Sequence, residues 1–114
     1  FRRKKMAQNF RNAFTKNVTN SATTIFTPDS YDTIKSVRLC NTTSNQILMD
    51  IFITNGGVDY YLALNVPIPA GGQYEVMEQG SILVVKNGDV LKATSDASSS
   101  ADAIVCYVDA ISTL

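Results

Sequence analysis

Gln46 to Val66 reads QILMDIFITNGGVDYYLALNV, and this stretch decides the fold. Ile47, Met49, Ile51 and Ile53 alternate along it, with Asp50 and Thr54 on the opposite side. That is the period of two of a strand with one face turned inward. Asn55-Gly56-Gly57 follows, and both residue types accept the positive φ of a tight reversal. Val58, Tyr60, Leu62, Leu64 and Val66 then form the apolar face of a returning strand. The stretch predicts a β-hairpin over 46–66. Tyr60 and Tyr61 are adjacent and point to opposite faces, so one is expected in the core and the other outside.

Outward from the hairpin, strand signals continue in both directions. Thr23 to Thr27 is a β-branched run ended by Pro28 and Asp29, and Ile34 to Thr43 places Val37 and Leu39 on one face. Pro67 and Pro69, followed by Gly71 and Gly72, belong at an edge or in a crossing loop. Tyr74 and Val76 restart a strand, Ser81 to Lys86 follows, and a turn at Asn87-Gly88-Asp89 leads into Val90 to Thr94. Ala97 to Ala101 is a serine-rich loop. Ile104 to Val108 is apolar on both faces, as a central strand would be. Seven or eight short strands with turns between them predict an all-β fold, an antiparallel β-sandwich of jelly-roll type.

At 114 residues the chain is one domain long. Its formal net charge is zero, but the charges are segregated. Arg2, Arg3, Lys4, Lys5, Arg11 and Lys16 lie within residues 1–16, which hold no acid; every Asp and Glu lies beyond, against Lys35, Arg38, Lys86 and Lys92. Such asymmetry marks an interaction tail. Residues 1–22 are therefore expected as a basic N-terminal arm, extended or in short helical form, ahead of a sandwich over 23–114. Phe10 and Phe14 are spaced for one face of a helical turn and supply its apolar anchor. Met6 reads as a natural start, with residues 1–5 as an upstream extension, a cloning remnant or a processing product. No apolar segment follows the basic residues, so no signal peptide is expected. No run is long enough for a membrane helix.

The chemistry inventory is thin. Histidine is absent, which removes the commonest general base and zinc ligand, and with them any Ser-His-Asp or Cys-His arrangement. Glycine-rich phosphate loops are missing. Glu75 and Glu78 read as solvated charges on a sheet, and Asp96, Asp102 and Asp109 lack the spacing of a calcium loop. Cys40 and Cys106 lie in apolar stretches and read as reduced, core-like thiols, although one disulfide could form on paper. Asn17-Val18-Thr19 and Asn41-Thr42-Thr43 match the glycosylation pattern by chance. No catalytic, cofactor or metal residues are assigned. With an acidic body lacking interleaved bases and aromatics, nucleic acid is not an expected partner.

Four segments carry a resemblance: Met6-Ala7-Gln8-Asn9-Phe10-Arg11-Asn12-Ala13, Thr24-Ile25-Phe26-Thr27-Pro28, Ile68-Pro69-Ala70-Gly71-Gly72 and Lys86-Asn87-Gly88-Asp89-Val90-Leu91-Lys92-Ala93. Together they look like the small β-sandwich virion proteins of tailed bacteriophages, marine ones especially. The resemblance implies a structural protein of the particle, without cofactor or reaction. A capsid decoration protein is the leading form, a neck or tail accessory the second. A carbohydrate-binding adhesion module is the alternative of another class, and the absence of Trp counts against it.

The implied location is the virion, assembled in the host cytoplasm. The implied partners are other copies of the chain, a trimer being favoured, and virion proteins such as the major capsid protein. The arm residues expected to make these contacts are Arg2, Arg3, Lys4, Lys5, Phe10, Arg11, Phe14 and Lys16. They are expected to lie against a neighbour rather than on their own sandwich.

Overall fold

A computed structural model describes residues 8–28, 31–78 and 81–110, without the side chains of 8, 9 and 110. Nine strands run in chain order: β1 (Gln8–Val18), β2 (Thr23–Phe26), β3 (Tyr31–Asn41), β4 (Ile47–Asn55), β5 (Val58–Ile68), β6 (Gln73–Glu75), β7 (Leu83–Lys86), β8 (Asp89–Ser95) and β9 (Ala101–Ala110). They form two antiparallel sheets packed as a sandwich, and the described residues include no helix. The first sheet has the order β1-β9-β3-β6, with β7 also on β3; the second is β2-β8-β4-β5.

The pairing partners reveal the plan. β4 pairs with β5, β3 with β6 and β7, β2 with β8, and β1 with β9. The chain is thus one long hairpin with its apex between β4 and β5, folded so that alternate pairs fall in opposite sheets. This is jelly-roll topology, with one of its eight strands broken into β6 and β7. Gly56 and Gly57 have φ of 60° and 81° and form the apex turn between the paired residues Asn55 and Val58. Two successive positive φ angles are what the twist of a two-residue hairpin requires.

The core lies between the sheets. Ile34, Val37 and Leu39 of β3 and Val105 of β9 meet Ile47, Met49 and Ile51 of β4 and Leu91 of β8, all essentially without exposure. Most of these are β-branched or bulky side chains at alternate positions, which suits a half-buried pleated surface.

Several expectations from sequence need correction. Residues 8–18 are neither helix nor free arm: they are the edge strand of the first sheet, in register with β9 from Gln8↔Ala110 to Thr15↔Ala103. The spacing of Phe10 and Phe14 fits either conformation locally. The open hydrogen-bonding edge of β9 decides between them, because an unpaired central strand would leave a row of backbone groups unmet. β9 is central, as expected, but only its inner face is closed. On its outer side Ile104 and Val108 are half-buried and Cys106 is exposed.

β5 departs further from its pattern. Val58, Tyr60, Leu62 and Leu64 are exposed rather than inward, and so are both adjacent tyrosines. The register of β5 on β4 slips twice, between Met49 and Ile51 and between Ile51 and Phe52. Asn65 takes φ 53° within the first slip. A bulge of this kind breaks the strict alternation on which the sequence reading depended.

Candidate assembly surfaces

Of the arm residues, Arg2, Arg3, Lys4 and Lys5 lie outside the described residues. The other four are on β1, which pairs on one side only. Arg11 forms an ion pair with Asp109 at 2.5 Å, and Lys16 with Asp102 at 3.1 Å. Both acids sit on β9, so these two cations hold β1 onto its own sheet. Asp102 also accepts the backbone N–H of Asn17 at 3.3 Å. Asn17 has φ 59° and marks the bulge that lets Val18 turn into the core. Asn65 on β5 repeats the device: its N–H donates to Asp50 at 2.7 Å. Each of these outer strands therefore carries a bulge at an asparagine, held by a carboxylate from the neighbouring strand; on β1 it follows the regular stretch Gln8–Thr15, and on β5 it falls between Ala63 and Val66.

Phe10 and Phe14 are 74% and 71% exposed. Cross-strand partners share a face, and the register aligns Phe10 with Val108, Val108 with Thr33, and Thr33 with Val84. Phe14 aligns with Ile104. The outer face of the first sheet thus carries a row across four strands that is apolar at three of its positions, with Thr33 as the fourth. A shallow groove of about 280 Å³ lies among Phe14, Lys16, Asp102 and Ile104.

A second apolar region lies at the opposite side of the molecule. β6 ends at Glu75 and β7 begins at Leu83, so the first sheet is interrupted there. The Glu75 carboxylate accepts the N–H groups of Val37 (2.8 Å) and Met77 (3.1 Å) and the hydroxyl of Ser36 (2.5 Å). It substitutes for the backbone acceptors that a continuous strand would supply, so it is not the solvated charge expected from sequence. Beside it, Leu62 from β5 faces Val76, Met77, Ile82 and Leu83 across an open trough of about 260 Å³. Val76, Met77 and Leu83 also pack against the core. Sequence reasoning missed this surface because it depends on a broken strand meeting a bulged one. One signal was available: between Arg38 and Lys86 the sequence has no basic residue, and it has Asp50, Asp59, Glu75 and Glu78.

Other candidate chemistry disperses. Asp96 accepts the N–H of Leu48, Asp102 binds Lys16 and Asp109 binds Arg11, so the three aspartates are engaged separately. Among the described residues no three His, Cys, Asp or Glu side chains are placed to hold a metal. Cys40 and Cys106 are free, half-buried and exposed rather than core-like. Cys106 aligns with Ser36 and Cys40 with Asp102, so the two thiols are offset by four positions on adjacent strands. That is roughly 13 Å along the strand, beyond the reach of a disulfide. Asn41 is fully buried, which takes its glycosylation pattern out of reach. Tyr60 and Tyr61 are both exposed, but Tyr61 leans on Phe52 with centroids 5.0 Å apart, and Tyr60 aligns with Ile53 on the other face. They do not form one stacking platform for a sugar.

The fold and these surfaces define an all-β jelly-roll protein with apolar side chains at its sheet edges. No family model matches the chain, and no curated protein matches it. It is similar in structure to a pentameric capsid protein isolated from metagenomic phage sequences, in two crystal structures. Each gives a TM-score of 0.49 and 16% identity over 87% of this chain. The chain spans 64% and 62% of the length of those chains, under two thirds in both cases.

Proposed function

We propose that this protein is a non-enzymatic structural component of a tailed-phage virion, a capsid decoration protein that self-associates and grips the major capsid protein. The observation that carries the assembly reading is that nine of the eleven large exposed apolar side chains among the described residues lie on or beside edge strands, Tyr31 and Leu48 being the exceptions. Phe10 and Phe14 are on edge strand β1; Val58, Tyr60, Tyr61, Leu62 and Leu64 are on edge strand β5; Ile82 and Val84 are beside and on β7. Exposed large apolar side chains gathered on edge strands mark sites of protein contact. The virion assignment is supported by the sequence resemblance along the chain from Met6.

In this reading Phe10 and Phe14 anchor the contact, while Arg2 to Lys5 speed and orient the encounter with acidic surfaces. Arg11 and Lys16 act less directly, by fixing β1. Assembly takes place in the host cytoplasm and the product resides in the virion, with three copies as the expected oligomer.

The test combines sedimentation velocity of the purified protein with co-sedimentation on capsid shells and on isolated tails of the virus that encodes it. Saturable binding to shells supports the decoration role, and binding to tails alone transfers the protein to the neck or tail. Binding to neither, together with saturable binding to a glycan panel, overturns the proposal in favour of an adhesion module.

A further inference from the structure

We infer that Asn87 is a site of covalent self-modification, losing its side-chain amide to attack by the Gly88 backbone nitrogen, while Asn55, in the same sequence setting, is shielded by Asp89. The inference is independent of the virion reading.

The chemistry starts from the sequence. Asn-Gly occurs twice, at Asn55-Gly56 and Asn87-Gly88. The backbone nitrogen that follows an asparagine can attack the side-chain Cγ. A bond forms from that nitrogen to Cγ, the bond from Cγ to Nδ2 breaks, and ammonia leaves with the nitrogen's proton. Water then opens the cyclic imide at either carbonyl. One opening gives aspartate, and the other gives isoaspartate, whose backbone runs through the former side chain. No oxidant or cofactor takes part. Glycine favours the attack because no Cβ crowds its nitrogen and its backbone turns freely.

The structure separates the two sites. Both turns are open, since a Cβ at Gly56 or Gly88 would meet nothing within 4 Å. The asparagines differ. Asn55 ends β4, in register with Val58 of β5 on one side and Asp89 of β8 on the other. Its amide nitrogen, the group that must leave, donates to the Asp89 carboxylate. Folding that side chain back over Gly56 breaks this bond, and the product would set a second carboxylate against Asp89. Asn87 lies outside the strands, in the exposed turn from β7 to β8. Among the described residues no hydrogen-bond partner holds its amide. Gly88 has φ 103°, which side chains resist, so the crossing itself requires the residue that makes Asn87 reactive.

The modification acts where the chain passes from one sheet to the other. Asp89 accepts the Lys86 N–H across this turn at 3.0 Å. Isoaspartate at position 87 lengthens the backbone between those two residues and adds a carboxylate to the surface.

The experiment incubates the full chain at mildly alkaline pH, folded in buffer and unfolded in concentrated urea. Peptide mass spectrometry, with fragmentation that tells aspartate from isoaspartate, follows each site. In urea the two sites are expected to convert at similar rates. In the folded protein Asn55 is expected to slow by at least about tenfold, the effect of one hydrogen bond to a charged group, and Asn87 to stay close to its unfolded rate. An Asn87 slowed as much as Asn55 overturns the inference, as does an Asn55 that converts as fast folded as unfolded. Asp89→Ala, with its sheets checked by far-UV circular dichroism, is expected to release Asn55. Protection of Asn55 that survives in a folded Asp89→Ala variant overturns the shielding by Asp89. If that variant does not fold, the comparison of the folded and unfolded parent chain decides.

Discussion

The side-chain amide of Asn55 donates a hydrogen bond to the carboxylate of Asp89. Asn55 ends β4 at the apex of the folded hairpin, and Asp89 begins β8 just after the chain has crossed from one sheet to the other. Asp89 also accepts the backbone N–H of Lys86 at 3.0 Å, across the Asn87-Gly88 turn. One carboxylate thus fixes both the apex and the crossing. Its pKa lies below the ordinary carboxylate value, chiefly because the Asn55 amide favours the ionised form, and next because the Lys86 N–H does.

A depressed carboxylate contributes stability that is complete above its ordinary pKa, about 3.9, and is lost as pH falls through the lowered value. Asp89→Asn should therefore be less stable than the parent at pH 7 by about 1–3 kcal/mol. The difference should shrink as pH falls from 4 toward 2. Urea unfolding at a series of pH values measures it, and a constant difference down to pH 2 would refute the assignment.

Glu75 closes the break in the first sheet by accepting two backbone N–H groups and a hydroxyl. Glu75→Ala leaves the N–H of Val37 without its acceptor, and the expected loss is about 1–3 kcal/mol. Because the defect is local, amide exchange should quicken at Val37 and Met77 before it does in β9. Uniform protection across both strands would show that water replaces the carboxylate without cost.

Asn41 is a polar pin in the core. Its amide nitrogen donates to the carbonyls of Asn45, Ile68 and Pro69, and its oxygen accepts the N–H and hydroxyl of Thr43. Asn41→Asp keeps the shape but turns a carboxylate toward three carbonyl oxygens. The expected cost is at least about 3 kcal/mol, read as a fall in the urea midpoint. A change below 1 kcal/mol would mean that the loop rearranges freely.

Phe10→Ala with Phe14→Ala separates folding from assembly. Both rings are exposed, so monomer stability should change by no more than about 0.5 kcal/mol, while self-association and particle binding should weaken. Neutralising Arg2 to Lys5 should instead slow association and flatten its salt dependence. Equal salt dependence in the parent and the neutralised variant would leave those bases without the proposed role.

The thiols give a direct check of register. Cys106 should react fast with a thiol reagent and Cys40 more slowly, and no disulfide should appear in non-reducing mass analysis. A Cys40–Cys106 bridge within one chain would contradict the alignment of β3 with β9.

The segment from Gln46 to Val66 was sufficient to place the apex hairpin, because alternation and a Gly-Gly reversal are local signals. β2, β3, β8 and the central position of β9 were legible for the same reason. The Asn87-Gly88 turn shows where local signals stop: it resembles a hairpin turn, yet β7 and β8 belong to different sheets. That choice is set by which edges remain open once the other strands have paired. The conformation of residues 8–18 was likewise undecidable from Phe10 and Phe14 alone, since β9 supplies the hydrogen bonds that make them a strand.

What the sequence determined by itself is the class of fold, the segregation of charge, and the lack of histidine-based chemistry; these follow from composition and short-range pattern. Only the tertiary structure decided that β5 is bulged and apolar on its exposed side, that β6 and β7 are one interrupted strand, and that Leu62 and Val76 face each other across a trough. Those features depend on contacts between residues distant in sequence, where a slip of one position reverses the face each side chain presents.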